Sequence, residues 1–573
     1  MKKSTYFKNV LLITLLLIFV LNAKTFSQFA NPVKAKNGMV VSACSLASEV
    51  GIDIMKKGGN AIDASVAVGF ALAVTYQYAG NIGGGGFMVL HFPDGKSTTI
   101  DFREKAPKSA YKDMYLDEKG NLIPELSQKG IKSVGVPGSV AGLIYALEKY
   151  GTMKLSEVIQ PAIDLAKKGF ILNEAQANSF ERYLKRFEKY PSTIKAFTKN
   201  GIPYNEGELF IQNDLANTLS LIKKNGRDGF YKGKVADLFI KQVNEMNGYI
   251  THSDLENYKP VERKPVKGTY KDYEIISMGP PSSGGIAIIQ LLNILENFNF
   301  NKTEWNSSNY INKLVEAMKY VYADRAEHLG DEDFYPVPKE KLLSKKYAKK
   351  IYNRIKNKAV PSDEIKSQLP NDYYESNETT HYSVYDKYGN AVSVTTTVNS
   401  GYGSKVVVEG AGFILNNEMD DFVSKAGEPN QFGLVGGKAN SIQPEKRMLS
   451  SMTPTIVLKN GKPFLIVGSP GGSTIITTVL QVILNVIEFD MNIKEAVSAP
   501  RIHHQWLPDK IFIEKFAVNS DTIIKLEEMG YNFSDRNSMF TILGSAQSIL
   551  IDNNKNEIYG ASDSRSNGRA IGY

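Results

Sequence analysis

Cysteine is nearly missing from this 573-residue chain: Cys44 is the only one, which excludes an intrachain disulfide and any cysteine-rich metal site. Histidine is scarce as well, and none of the six falls in an HExxH zinc signature. No GxSxG is present, so an α/β-hydrolase serine has no support. Gly95-Lys96-Ser97 lacks the upstream glycine of a phosphate loop and reads as a hairpin turn, and the block Gly83–Gly86 lacks GxGxxG spacing. There is no internal repeat and no low-complexity tract. Charge of one sign is not concentrated either: of the formal +8, Lys2, Lys3, Lys8 and Lys24 supply four units near the N-terminus. A nucleic-acid binder would gather its basic residues in a patch or stripe.

What is present is ordinary globular composition, 42% apolar and 22% charged, enough to bury a large core. The first residues read as an export signal: lysines, an apolar run from Val10 to Leu21, then Asn22, Ala23, Thr25 and Ser27. That run is short of the roughly 20 residues a membrane-spanning helix needs. Cleavage before Gln28 is expected, with cleavage after Ala23 as the alternative, leaving a protein outside the cytoplasm, periplasmic or secreted, with no stable membrane span. No cysteine follows the run closely, which argues against a lipoprotein.

Apolar spacing predicts a helix from Leu46 to Lys57, stopped by Gly58-Gly59. Asn60 with Asp63 resembles a capping box opening a helix to Val74 that is apolar all round and therefore buried. A hairpin follows, Phe87–Phe92 with Thr98–Phe102. The middle, from about Val140 to Lys356, reads as mostly helical, with a clear helix from Tyr310 to Leu329 and a basic, solvated face at Lys345–Lys358. From Thr379 the texture becomes alternating: a hairpin at His381–Tyr385 and Ala391–Thr397, strands at Thr455–Lys459 and Phe464–Gly468, helices at Thr474–Phe489 and Asp521–Gly530, and a closing hairpin over Gln547–Ser562. Such an order predicts sheets covered by helices in layers.

By residue type alone, the adjacent pairs Asp420-Asp421 and His503-His504 read as loop carboxylates and structural histidines, and Arg103, at a strand end, as a surface residue. Glu378-Thr379-Thr380-His381 is different, because there a polar stretch meets the start of a strand. If the bond before Thr379 is cut, the freed α-amine, with a reference pKa near 8, can deprotonate its own hydroxyl and make it a nucleophile.

Read as blocks, TTHYSVYDKYGNAVSVTTTVNS from Thr379, LNNEMDDF from Leu415, RMLSSMTPTIV from Arg447 and GSPGGSTIITTVLQ from Gly468 resemble the γ-glutamyltransferase family. GNIGGGGFM from Gly80, DFREKAP from Asp101, GVPGSVAG from Gly135, PPSSGG from Pro280 and YADRAEHLGD from Tyr322 resemble it in the same order. The resemblance implies an αββα sandwich of the N-terminal-nucleophile hydrolase type, made as one precursor that cuts itself between Glu378 and Thr379. The expected pieces are a signal over 1–27, a large subunit over 28–378 and a small subunit over 379–573, the two subunits pairing with each other.

The same resemblance implies that Thr379 attacks the γ-carbonyl of glutathione or a similar compound, and that water, an amino acid or a dipeptide accepts the glutamyl group. Thr397 is expected to hydrogen-bond the nucleophile, and Gly471 and Gly472 to form the oxyanion hole. Arg103, Ser450 and Ser451 should hold the α-carboxylate, and Asn399, Glu418 and Asp421 the ammonium. No metal and no cofactor is implied. Residues 428–437 correspond to a lid, with Phe432 where a tyrosine often stands. A glutaryl-type acylase or a poly-γ-glutamate depolymerase of the same fold, and an inactive envelope-binding protein, are the alternatives.

Overall fold

The computed structural model describes residues 31–365, 379–425, 427–534 and 542–573; the export signal and Glu378 lie outside them. Two seven-stranded sheets form its centre. One runs, in spatial order, Arg569–Gly572, Met39–Ser42, Thr380–Tyr385, Ala391–Thr397, Gly85–His91, Ser97–Asp101 and Val261–Arg263. The other runs Val33–Ala35, Glu557–Ser562, Gln547–Asp552, Lys462–Val467, Thr455–Lys459, Tyr273–Ser277 and Val266–Tyr270. Neighbours pair antiparallel throughout both.

Period-two alternation explains the layers. On Met39–Ser42 and Gly85–His91, Val40, Met88 and Leu90 join a core shared with the helices Ser45–Lys56, Ala61–Thr75 and Ser139–Tyr150. Met39, Val41, Phe87 and Val89 point the other way and share a core with Ile456, Leu465 and Ile549 of the second sheet. That core also takes in the helices Gly284–Leu295, Ser308–His328 and Thr474–Ile487. Helix, sheet, sheet, helix is the layer order that the resemblance implied.

The helix Ala61–Thr75 is buried at every position, and the Asn60/Asp63 capping box is present. A carboxylate distant in sequence completes its N-terminus: Asp386, in the turn between the two central strands, accepts the amide of Ala61 at 2.7 Å. The helix expected from Tyr310 spans Ser308–His328, and in the basic stretch Lys345–Tyr352 buries Ala348 and Ile351 beneath a charged outer face.

Six strands of the two central sheets were not foreseen. Met39–Ser42 is buried on both faces and so shows no alternation. Val33–Ala35 and Arg569–Gly572 are short edges, and Val261–Arg263, Val266–Tyr270 and Tyr273–Ser277 carry Lys, Glu and Gly that mask their pattern within a helical region.

Candidate active site

Thr379 precedes the third strand of the first sheet, between Met39–Ser42 and Ala391–Thr397, and is 6% exposed. Alternation puts it on the face of His381 and Ser383, toward the second sheet, where His381 lies against Gly468. His381 is no base for it. Burial pushes the imidazole down to about 3, and its ring nitrogens meet the hydroxyls of Thr395 and Ser383 at 2.9 and 3.1 Å.

A small cavity of about 20 Å³ gathers Thr379, Thr397, Asn399, Arg103, Glu418, Asp421, Ser450, Ser451 and Gly472. These come from six separate stretches of chain. Gly471 is not among the lining residues. Thr397 Oγ1 accepts from the amide of Asn399 at 2.7 Å, and Asn399 Nδ2 donates to the carbonyl of Asn417 at 2.9 Å. Asn399 takes a φ of +74°, a left-handed conformation that asparagine tolerates better than most residues.

Arg103 is the largest departure from the reading by residue type. Far from being on the surface, its side chain is 1% exposed. Nη1 donates to Glu418 at 2.5 Å, Nη2 to Asp421 at 2.5 Å and Nε to the carbonyl of Met448 at 3.3 Å. Burial raises the carboxyls of Glu418 and Asp421, Arg103 opposes the rise, and the neighbouring carboxylates add to it for Glu418. Glu104 packs in the same cluster and is pushed up to about 8, chiefly by burial. Three carboxyls around one ion-paired arginine cannot all ionise cheaply, so they share protons.

Asp420 does not line the pocket and instead tethers the segment 428–437. It accepts from Ser127 Oγ at 2.6 Å and from the amide of Gln431 at 2.9 Å, and burial raises it to about 6. Asn430 donates to Asp421 at 3.3 Å and accepts the amides of Phe432 and Leu434. The segment expected to be a lid is therefore tied down through Asp420 and Asp421, and Phe432 lines the cavity. His503 and His504 are buried and held by Gln505 and Asp509, a structural role as read from the sequence.

Gly471 and Gly472 open the helix Thr474–Ile487 with φ of +136° and +54°, which favour glycine. Among the described residues neither amide has a hydrogen-bond partner. Thr379 also lines a larger groove of about 420 Å³, together with Tyr76, Tyr78, Phe180, Arg182 and Tyr402. Sequence reasoning missed this groove and also Arg325, which lines the small cavity. The YADRAEHLGD block was the only signal for the arginine.

Two helix-covered antiparallel sheets, with a threonine heading a central strand at a cavity, define the architecture of an N-terminal-nucleophile hydrolase. The chain matches the Gamma-glutamyltranspeptidase family over residues 47–573 and belongs to it. It is 50% identical over 540 residues to the glutathione hydrolase proenzyme of Escherichia coli K12, covering 94% of this chain and 92% of that one. Among solved structures it is similar to the γ-glutamyltranspeptidase of Helicobacter pylori, at 47% identity over 59% of this chain and 96% of that one, TM-score 0.56. It is also similar to a cephalosporin acylase from Bacillus halodurans, at 26% identity over 96% and 98%, TM-score 0.83.

Proposed function

We propose that the chain is a self-processing γ-glutamyltransferase and glutathione hydrolase, with Thr379 as both the scissile residue and the nucleophile. The observation that carries this reading is the single cavity where Thr379 meets Arg103, Glu418, Asp421, Ser450 and Ser451. One wall offers a cation and hydroxyls for a carboxylate, another offers carboxylates for an ammonium, and the nucleophile stands at the edge.

In processing, Thr379 Oγ attacks the carbonyl carbon of Glu378 and the acyl group moves from nitrogen to oxygen. That shift frees the α-amine of Thr379, and water then hydrolyses the ester, releasing Glu378 as a carboxylate and restoring the Thr379 hydroxyl. In turnover the neutral amine takes the hydroxyl proton while Oγ attacks the γ-carbonyl carbon of the donor. The oxyanion is met by the amides of Gly471 and Gly472, each such donor being worth about 3 kcal/mol. Collapse expels the donor's amine, which leaves with the proton, and a γ-glutamyl ester remains on Thr379. Water, an amino acid or a dipeptide then attacks the ester and regenerates the hydroxyl. Thr397, beside Thr379 in the cavity, orients the nucleophile.

The larger groove that Thr379 also lines suits the amine half of the donor and the acceptor, since the small cavity has no room for either. Among the described residues no helix is long and apolar enough to cross a membrane. With the N-terminal signal, this supports an enzyme that works in the periplasm or outside the cell.

Denaturing electrophoresis with N-terminal sequencing tests the assignment. Wild-type protein should give two chains, the smaller beginning at Thr379, and should release glutamate from glutathione. Thr379→Ala should remain one inactive chain. A small chain beginning elsewhere, or an active Thr379→Ala protein, would refute it.

A further inference from the structure

Arg103 reaches the cavity already neutralised by carboxylates. Arg325 does not. It projects from the helix Ser308–His328 into the same cavity and is 5% exposed. Its Nε donates to Ser283 Oγ at 3.0 Å and its Nη2 to Ser451 Oγ at 3.0 Å. Ser283 in turn donates to the carbonyl of Ser450 at 2.7 Å, so the arginine holds both members of the serine pair, one directly and one through Ser283.

Among the described residues no carboxylate stands within ion-pair distance of Arg325. The carboxylate whose field it feels is Asp421, and that group is engaged by Arg103. A guanidinium has five N–H donors, and hydroxyls satisfy its hydrogen bonding without cancelling its charge. A buried charge left unpaired is costly, and the fold keeps one here, beside the nucleophile and next to the serines proposed for the α-carboxylate. The cost is relieved when an anion enters.

Resting on the γ-glutamyl reading of this pocket, we propose that Arg325 is a positioning residue for the α-carboxylate of the substrate: it fixes the Ser451 hydroxyl toward that group and supplies positive charge that, among the described residues, no carboxylate pairs with. Arg103 and Arg325 then have different tasks. Arg103 exchanges its carboxylate partners for that of the substrate, whereas Arg325 gains a counter-ion it lacked.

Two donors that differ only in that carboxylate isolate the effect: γ-L-glutamyl-4-nitroanilide and 4-aminobutanoyl-4-nitroanilide. In Arg325→Gln the ratio of their kcat/KM values should fall about 10- to 100-fold, mostly through KM for the glutamyl donor, as expected on losing a charge-assisted contact. Arg325→Lys, which keeps the charge without the fork, should recover part of the ratio. A merely structural arginine would depress both donors alike, so an unmoved ratio overturns the proposal.

Should Arg325→Gln fail to cut itself, Ser451→Ala and Arg325→Lys, singly and together, decide the matter. Their effects on the ratio should overlap, since both act on one hydroxyl, and fully additive effects overturn the proposal. A wild-type protein without preference for the glutamyl donor would refute the functional reading. A wild-type preference that survives in the variants would refute only the role of Arg325.

Discussion

Arg103 Nη1 and Glu418 Oε2 meet at 2.5 Å in a place almost closed to water, both side chains being 1% exposed or less. The cation proposed for the substrate carboxylate is thus bound to a group proposed for the substrate ammonium. A glutamyl zwitterion can replace that pair charge for charge, its carboxylate on Arg103 and its ammonium on Glu418 and Asp421. A ligand with one charge breaks the pair and leaves a partner exposed to the desolvation cost.

The first prediction follows from that exchange. A glutaryl amide, which lacks the amine, should be turned over with kcat/KM at least about 30-fold below that of the γ-glutamyl amide, since truncating one partner of a buried charge pair typically costs 2–5 kcal/mol. Comparable rates on the two amides would favour the acylase reading.

Removing the cation itself should be worse. Arg103→Ala leaves Glu104, Glu418 and Asp421 without their ion-pair partner, so they should take up protons. KM for glutathione should rise about 30-fold or more, while the cut at Thr379 proceeds, and Arg103→Lys should fall between. Kinetics of the variant matching those of the wild type would place the glutamyl pocket elsewhere.

The lid offers a third test. A Cβ on Gly472 would come within 2.9 Å of the Phe432 ring, so lid and proposed oxyanion hole are in van der Waals contact. Phe432→Ala should raise KM for glutathione about tenfold, roughly the free energy of burying part of one aromatic ring, without preventing processing. An unchanged KM would show that the lid is open when substrate binds.

Local physics made some of this legible in the sequence and left the rest hidden. The Asn60/Asp63 box, the apolar helix after it and the Ala391–Thr397 strand needed only capping chemistry and periodicity, because their signals lie within a few residues. The site is different. Arg103 is buried only because Glu418 and Asp421, more than three hundred residues later, fold back against it. A lone arginine at a strand end reads as exposed. The resemblance set the three around one substrate, and the ion pair between them appears only in the fold. Arg325 sits in a helix whose periodicity announces packing and nothing of the uncompensated charge. The lid contact of Phe432 depends on Gly472, again remote in sequence.

If the chain is cut before Thr379, the two pieces are held together by buried polar contacts as well as by the sheets. Lys319 Nζ, 1% exposed, donates to the carbonyl of Val360 at 2.9 Å and meets Glu316 and Asp509 at 3.1 and 3.3 Å. Asp509 also accepts the amide of Ser362, and Trp506 Nε1 donates to the Ser362 carbonyl. Lys319→Met would leave Glu316 buried without its cation, a change that costs about 3–5 kcal/mol. Urea unfolding of the processed protein should therefore show a lower midpoint, and an unmoved midpoint would mean that the pair contributes nothing net.

The last prediction concerns acid stability and a site remote from the chemistry. Glu262 ties the helix Ser139–Tyr150 to the sheet edge: it accepts from Thr98 Oγ1 at 2.8 Å, Tyr145 Oη at 2.9 Å and Tyr150 Oη at 2.6 Å, and pairs with Lys149. Burial alone would raise its carboxyl, but the hydrogen bonds from Lys149, Tyr150, Thr98 and Tyr145 outweigh it and bring the group down to about 2. An unfolded glutamate titrates near 4.3. The folded state therefore holds fewer protons between those values, so the stabilisation is complete above about pH 5 and is lost as pH falls through 4.3 toward 2. Lys149 is 46% exposed, so solvent screening limits the gain to about 1 kcal/mol. Glu262→Gln should be less stable than wild type by about that amount at pH 6.5, with the difference narrowing below about pH 4.3 and closing near pH 2. Denaturant unfolding at the two pH values measures it, and parallel pH dependences for the two proteins would show that Glu262 keeps an ordinary carboxyl in the fold.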